Sequence, residues 1–242
     1  MSVTVVLTTY RRYEILPMQL EALSRSTYEI KRVMIWNNGA VPVDFRRLGV
    51  DGVNASRNWG FFCRFALAQL ADTEFVAIID DDALPGPRWF EACAAHLASE
   101  DAILGSCGDI IDGERVGWDS WQAKCPASLN HKTTEVDHIG MSWFLRPSTL
   151  SVMFREQPAT WGIAEGVHLS WMARKYLNVR SYVTGYPNED RAAWATDPNY
   201  SQYWNCRSAA SQDDPKKFEA DMTAAIDHYI RSGWRTLLGS KR

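Results

Sequence analysis

Phe75-Val76-Ala77-Ile78-Ile79-Asp80-Asp81-Asp82 joins five apolar residues to three consecutive carboxylates. Five residues of this kind fit a strand buried on both faces of a parallel sheet. Ligands of open α/β sheets bind beyond the carboxyl ends of the strands, which is where these acids stand. Three adjacent carboxylates repel and raise one another's pKa. A divalent cation such as Mg2+ or Mn2+ relieves that repulsion through oxygen ligands, so the stretch points to a metal that carries phosphate. The plain alternative is an acidic turn with Ala83-Leu84-Pro85-Gly86 as its loop.

Strand and helix signals alternate on either side of this stretch through the first hundred residues, which predicts an α/β fold with a mostly parallel sheet. Val3 to Leu7 reads as the first strand. Leu16, Leu20 and Leu23 mark an amphipathic helix, and residues 31–36 a second strand. Residues 39–53 read as an irregular connection and 58–70 as a helix, with a further helix opened by Pro87. The pattern then changes. Residues 109–116 suggest a hairpin turning at Asp112-Gly113, residues 119–132 a loop, 136–144 a strand, 164–176 a helix, 179–183 a short strand and 214–231 a final helix.

A chain of 242 residues with 46% hydrophobic and 23% charged residues fits a single globular domain over 1–242. Within it, 1–104 reads as a first half, 105–200 as a second, and 211–242 as carrying the last helix. No stretch approaches the roughly 18 apolar residues of a membrane span. The first residues lack the basic lead and cleavage site of a signal peptide, so the expectation is a cytoplasmic protein without stable membrane insertion. Five widely spaced cysteines fit neither a zinc motif nor a disulfide framework. A net charge of −3 argues against broad electrostatic binding to nucleic acid. Neither G-x-G-x-x-G nor G-x-x-x-x-G-K-[ST] occurs, which removes the main support for a dinucleotide oxidoreductase or a P-loop NTPase.

Four segments together resemble the GT-A glycosyltransferases, in particular the family 2-like and exostosin-like nucleotide-sugar transferases. They are Val5-Val6-Leu7-Thr8-Thr9-Tyr10-Arg11-Arg12, Val33-Met34-Ile35-Trp36-Asn37-Asn38-Gly39, Asn54 through Asn58 with Arg64, and Ile78 to Asp82 as the D-x-D motif. The resemblance implies a Rossmann-like central sheet flanked by helices, with 1–104 as the nucleotide-sugar-binding half and 105–200 as the acceptor-binding half, and a donor such as a UDP-sugar, with Mn2+ or Mg2+ as cofactor. It implies that Thr8, Tyr10 and Arg12 border the nucleoside and that Asn37 or Asn38 touches base or ribose. Arg57 or Arg64 would face the diphosphate. Asp80 would lie toward the ribose and the metal, Asp82 would be the direct metal ligand, and Asp81 would support them.

Breaking a sugar–phosphate bond places growing negative charge on the departing diphosphate, and a cation and an arginine stabilise it there. A carboxylate must also receive the acceptor's proton if configuration inverts. Glu165, in Trp161-Gly162-Ile163-Ala164-Glu165-Gly166, resembles the family's second acidic motif, with Gly166 where an aspartate is usual. That departure leaves open which acid is the base. His168 is a candidate to complete the metal site. Trp143, Asp137 and His138 resemble the acceptor-facing segment, and Trp118 and Trp121 suit the same task. The acceptor is expected to be a glycan. Transfer to hydroxymethylated pyrimidines of viral DNA is one alternative, and a non-catalytic glycan-binding module is another.

Overall fold

β1 (Val3–Thr9) is buried along its whole length, which its valines, leucine and threonines allow because helices and neighbouring strands cover both faces. It pairs in parallel with β2 (Ile30–Asn37) and β4 (Phe75–Ile79), and β2 pairs in parallel with β3 (Asp51–Asn54). This computed structural model describes residues 1–111, 122–123, 131–196 and 213–239. Among them, nine strands form one sheet in the order β3-β2-β1-β4-β8-β5-β9-β7, with β6 (Gln122–Ala123) beside β5.

The sheet is mixed beyond β4. β8 (His138–Leu145) runs antiparallel between β4 and β5 (Ala102–Asp109), while β9 (Arg180–Val183) is parallel to β5 and antiparallel to β7 (Thr134–Val136). The carboxyl ends of β1, β2, β4 and β5 and the amino end of β8 therefore share one edge. α1 (Leu16–Ser24), α3 (Cys63–Ala68), α4 (Trp89–Leu97) and α6 (Glu165–Leu177) flank the sheet. α2 (Phe45–Leu48) and α5 (Pro147–Leu150) are single turns, and α7 (Pro215–Arg231) docks on α6 through Ala225, Ile226 and Tyr229.

Several boundaries differ from the sequence expectation for identifiable reasons. The connection at 39–53 contains α2, capped by Asp44 and closed by Gly49 in the left-handed region, and then the edge strand β3. The helix expected at 58–70 begins only at Cys63, because Gly60 adopts φ 74° and breaks the preceding turn. β5 is not anticipated as a strand. Its Gly105 and Gly108 make it read as loop, yet a Cβ at either would lie within 2.5 Å of the neighbouring strand, so these small residues permit the close packing of β5 on β8.

The strand expected at 136–144 is interrupted at Asp137, whose carboxylate turns aside to accept backbone N–H groups. The final helix appears as expected, with Asp214 accepting from the Lys217 amide as its cap. Residues 112–116 of the expected hairpin, together with Trp118 and Trp121, lie outside the described residues. No helix among the described residues is long and apolar enough to cross a membrane.

Candidate active site

The three acids leave β4 in a turn closed by the Ala83 amide on the Asp80 carbonyl, while the Asp80 amide donates to the Met141 carbonyl of β8 at 2.8 Å. Gln19 fixes the turn from beneath, its Nε2 donating to the carbonyls of Asp80 (2.7 Å) and Ala83 (3.1 Å). Sequence reasoning missed Gln19. The available signal was a polar residue at helical spacing between Leu16 and Leu23, on the buried face of α1.

Two buried arginines divide the acids between them. Arg12, at the end of β1, hydrogen-bonds the Asp81 carboxylate and lies 3.6 Å from Asp82. Arg64, on α3, places Nη2 3.0 Å from Asp80 Oδ1 and 2.7 Å from Glu165 Oε1. Its guanidinium lies 5.1 Å from the Trp143 ring centroid and 5.5 Å from those of Phe61 and Phe65. This aromatic cage limits the rotamers of Arg64 and strengthens its electrostatic contacts. Arg64 Nε and Thr9 Oγ1 are buried without a hydrogen-bond partner among the described residues.

Four carboxylates thus face two guanidiniums, an excess of two negative charges in a largely buried cluster. Burial pushes Asp80 well above the usual carboxylate range despite Arg64, with Asp82 and Glu165 adding to the rise. Burial also raises Asp81 against the pull of Arg12, and burial with the neighbouring Asp81 takes Asp82 to about 7. Asp80 and Glu165 together outweigh the desolvation of Arg64, which therefore stays charged. Charge and donor chemistry fit a divalent cation. Among the described residues, no three His, Cys, Asp or Glu side chains are gathered as a preformed cage.

Glu165 opens α6, where its charge is favoured by the helix N-terminus. Ala164 precedes it in the left-handed region, φ 63°, which sets the entry of the helix beside Arg64. Gly166 is required by packing, since a Cβ there would come within 2.1 Å of the Ile139 carbonyl oxygen and 3.2 Å of Trp143 Cζ2. The close approach of α6 to β8 leaves no room for a second acid at this position.

The other expected residues divide between the site and its scaffold. Thr8 stands at the carboxyl end of β1 and donates to the Trp36 carbonyl at 3.3 Å. Tyr10 is half-buried, its ring under Arg11, which forms a two-pronged pair with Asp213. Asn37 and Asn38, expected to touch base or ribose, have their side-chain amides hydrogen-bonded within the chain. Asn37 Nδ2 donates to the Val41 carbonyl and Asn54, and its Oδ1 accepts from Gly39. Asn38 accepts from Trp36 Nε1 and the Trp59 amide and donates to the Gly60 carbonyl. Arg57 stacks on Trp59 at 4.1 Å and is absent from the acid cluster, leaving Arg64 as the arginine there.

Of the residues expected to face the acceptor, Trp143 is fully buried as the floor under Arg64. Asp137 accepts the amides of Ile111 (2.7 Å) and Leu237 (2.9 Å) and serves as a staple, with burial raising it to about 6. His138 is buried beside Asp109, 3.1 Å away at the carboxyl end of β5; burial alone would lower its pKa, but pairing with Asp109 raises it. His168, expected as a candidate metal ligand, is engaged in the core instead. Its Nδ1 meets Tyr229 Oη at 2.9 Å and its Nε2 meets the Met153 carbonyl at 2.8 Å, so both nitrogens are used in the core and burial lowers its pKa.

The sequence model described as Glycosyl transferase family 2 matches residues 4–157. No curated protein matches the chain. Among solved structures, S. aureus TarS aligns with 17% identity and a TM-score of 0.56 over 76% of this chain and 35% of that chain. S. aureus TarS 1–349 in complex with UDP-GlcNAc aligns with 17% identity and a TM-score of 0.55 over 76% of this chain and 56% of that one. TarS 1–349 alone aligns with 14% identity and a TM-score of 0.54 over 96% and 83% of the two chains. The chain thus spans between a third and somewhat over half the length of the first of these structures, and the likeness is one of fold.

Proposed function

The chain belongs to glycosyl transferase family 2 and has the GT-A fold of a glycosyltransferase, and from that premise we propose that it moves a sugar from a UDP-linked donor to a hydroxyl of a glycan acceptor with the help of Mn2+ or Mg2+. The observation that carries this reading is the position of Arg64 Nη2, within 3.0 Å of both Asp80 and Glu165. One side chain there joins the acids suited to a metal–diphosphate with the carboxylate suited to the acceptor.

In this reading Asp82, supported by Asp80 and Asp81, would hold the cation, which when bound would neutralise charge on the diphosphate. Arg12 and Arg64 would hydrogen-bond phosphate oxygens, and Arg64 has a buried Nε still to be used. Glu165 would accept the proton of the attacking hydroxyl as the new glycosidic bond forms. The sugar–phosphate bond breaks in the same event, and its electron pair leaves on the diphosphate. UDP is preferred over other nucleotides because a related fold, TarS, is described in complex with UDP-GlcNAc and with UDP.

The test is calorimetric titration of UDP with and without Mn2+, followed by assay of UDP release from UDP-sugars by the wild type and Glu165→Gln. Metal-dependent UDP binding with slow turnover in the variant is the expected result. Absence of any nucleotide binding overturns the proposal.

A further inference from the structure

Trp59 and Trp161 are each about half exposed, 51% and 54%, whereas the other large aromatics among the described residues are mostly interior. They lie on two loops that touch: a Cβ on Gly60 would rest 3.4 Å from the Trp161 carbonyl oxygen. Both loops adjoin the active site. Trp59 is four residues before Cys63, which opens α3 and is followed by Arg64, and Trp161 is four before Glu165. Phe62 connects them inward, its ring meeting Trp161 edge-on at 5.2 Å. We propose that Trp161 and Trp59 form a platform that binds the pyranose rings of a saccharide acceptor, a reading that rests on the glycosyl transfer proposed above.

The platform is held by its own neighbours. The Trp59 amide donates to Asn38 Oδ1 at 3.0 Å, and the Arg57 guanidinium covers one face of the indole at 4.1 Å. The Asn38 side chain also donates to the Gly60 carbonyl, fixing the turn that presents Trp59. Trp161 lies nearly parallel to Phe154, 15° between planes at 6.4 Å, and its loop is anchored where the Ala159 amide donates to Tyr229 Oη at 2.9 Å. Aromatic rings fixed before binding present apolar area with little entropy to lose. An indole face suits the C–H face of a pyranose, and the arginine beside it suits a ring hydroxyl.

Size argues against a protein partner. Trp59, Trp161 and the partly exposed Phe154 together offer a few hundred Å2 at most, against about 800 Å2 per side in a stable interface. The short sequence separation from Arg64 and Glu165, with Phe62 packed between Trp161 and the start of α3, argues for the acceptor. With the buried Trp143 unable to stack on sugar, the exposed aromatic surface beside Glu165 takes the place that Trp143 was expected to hold.

The test is saturation-transfer NMR with triacetylchitotriose, cellotriose and maltotriose on the wild type, Trp161→Ala, Trp161→Phe and Trp59→Ala, with UDP binding measured on each protein. At least one trisaccharide should bind at millimolar concentration and weaken about tenfold in each alanine variant, with most binding kept in Trp161→Phe. UDP affinity should be unchanged throughout. Trisaccharide binding undiminished in both alanine variants overturns the platform, as does UDP binding to the wild type with no trisaccharide bound. A loss of UDP affinity in Trp59→Ala assigns that ring to the nucleotide and overturns its acceptor role. A wild-type dimer that Trp161→Ala dissociates makes the surface a contact between copies and overturns the platform too. If UDP itself fails to bind the wild type, the glycosyl transfer fails and takes the acceptor platform with it.

Discussion

Residues 1–104 and the residues beyond them build the acid cluster by different means. In residues 1–104 the strands pair in parallel, and their carboxyl ends deliver Arg12 and the three aspartates directly to one edge. Beyond residue 104 the inserted β8 is antiparallel, and the polar residues of its amino end, Asp137 and His138, are spent on backbone amides and on Asp109. That half contributes to the acid cluster through Glu165 and through the Trp143 ring beneath Arg64. Charge in the first half is gathered at one edge of the sheet. Much of the charge in the second half holds the chain together, and Arg64 is where the halves meet.

The largest effect is therefore expected at Arg64. Arg64→Met leaves Asp80 and Glu165 buried without their cation, and should cost about 3–5 kcal/mol of stability, read by urea denaturation, together with nearly all transfer. A stability loss below that of an ordinary surface substitution would separate the halves and break the comparison. Glu165→Gln should lower kcat about a hundredfold or more while UDP binding persists, since an amide preserves the shape but takes no proton. If activity survives, another group in the second half receives the proton.

Gly166→Ala should destabilise by about 3 kcal/mol, as its methyl meets the Ile139 carbonyl oxygen. A tolerated alanine would mean that the missing second acid is not a matter of space. Asp137 gives a pH signature. Its folded pKa of about 6 lies above the ordinary 3.8, so the native state binds its proton more tightly than the unfolded chain does. Its contribution is full below pH 3.8 and is lost as pH rises through about 6. Thermal melts from pH 4 to 7 should fall more steeply for the wild type than for Asp137→Asn, and parallel curves would contradict the assignment. The smallest effect belongs to His168→Gln, expected to cost about 1 kcal/mol and to leave the Mn2+ dependence of UDP binding as it was. A changed metal requirement would return His168 to the site.

Legibility in the sequence follows the same division. The apolar run ending at Asp80, the D-x-D spacing and Arg12 were readable because a buried parallel strand is continuous in type and its ligand end is adjacent in sequence. Arg64 and Glu165 were readable as separate candidates, but their pairing spans 101 positions and follows from tertiary packing alone. β5 was hidden by its glycines, whose smallness serves the neighbouring strand. Asn37, Asn38, Trp143 and His168 were read as ligand contacts because polar and aromatic residues near a site look alike in sequence whether they face inward or outward. Only the burial and hydrogen bonds of the folded chain distinguish them. Trp59 and Trp161 were open to view throughout, yet nothing in their spacing says that two loops a hundred residues apart touch.

The most direct test of the central claim is calorimetry of UDP binding with and without Mn2+ to the wild type and to Asp82→Ala. The account predicts that Mn2+ strengthens UDP binding to the wild type and that Asp82→Ala abolishes this gain while the protein remains folded. Equal binding with and without the metal, or a full metal effect in Asp82→Ala, would contradict it.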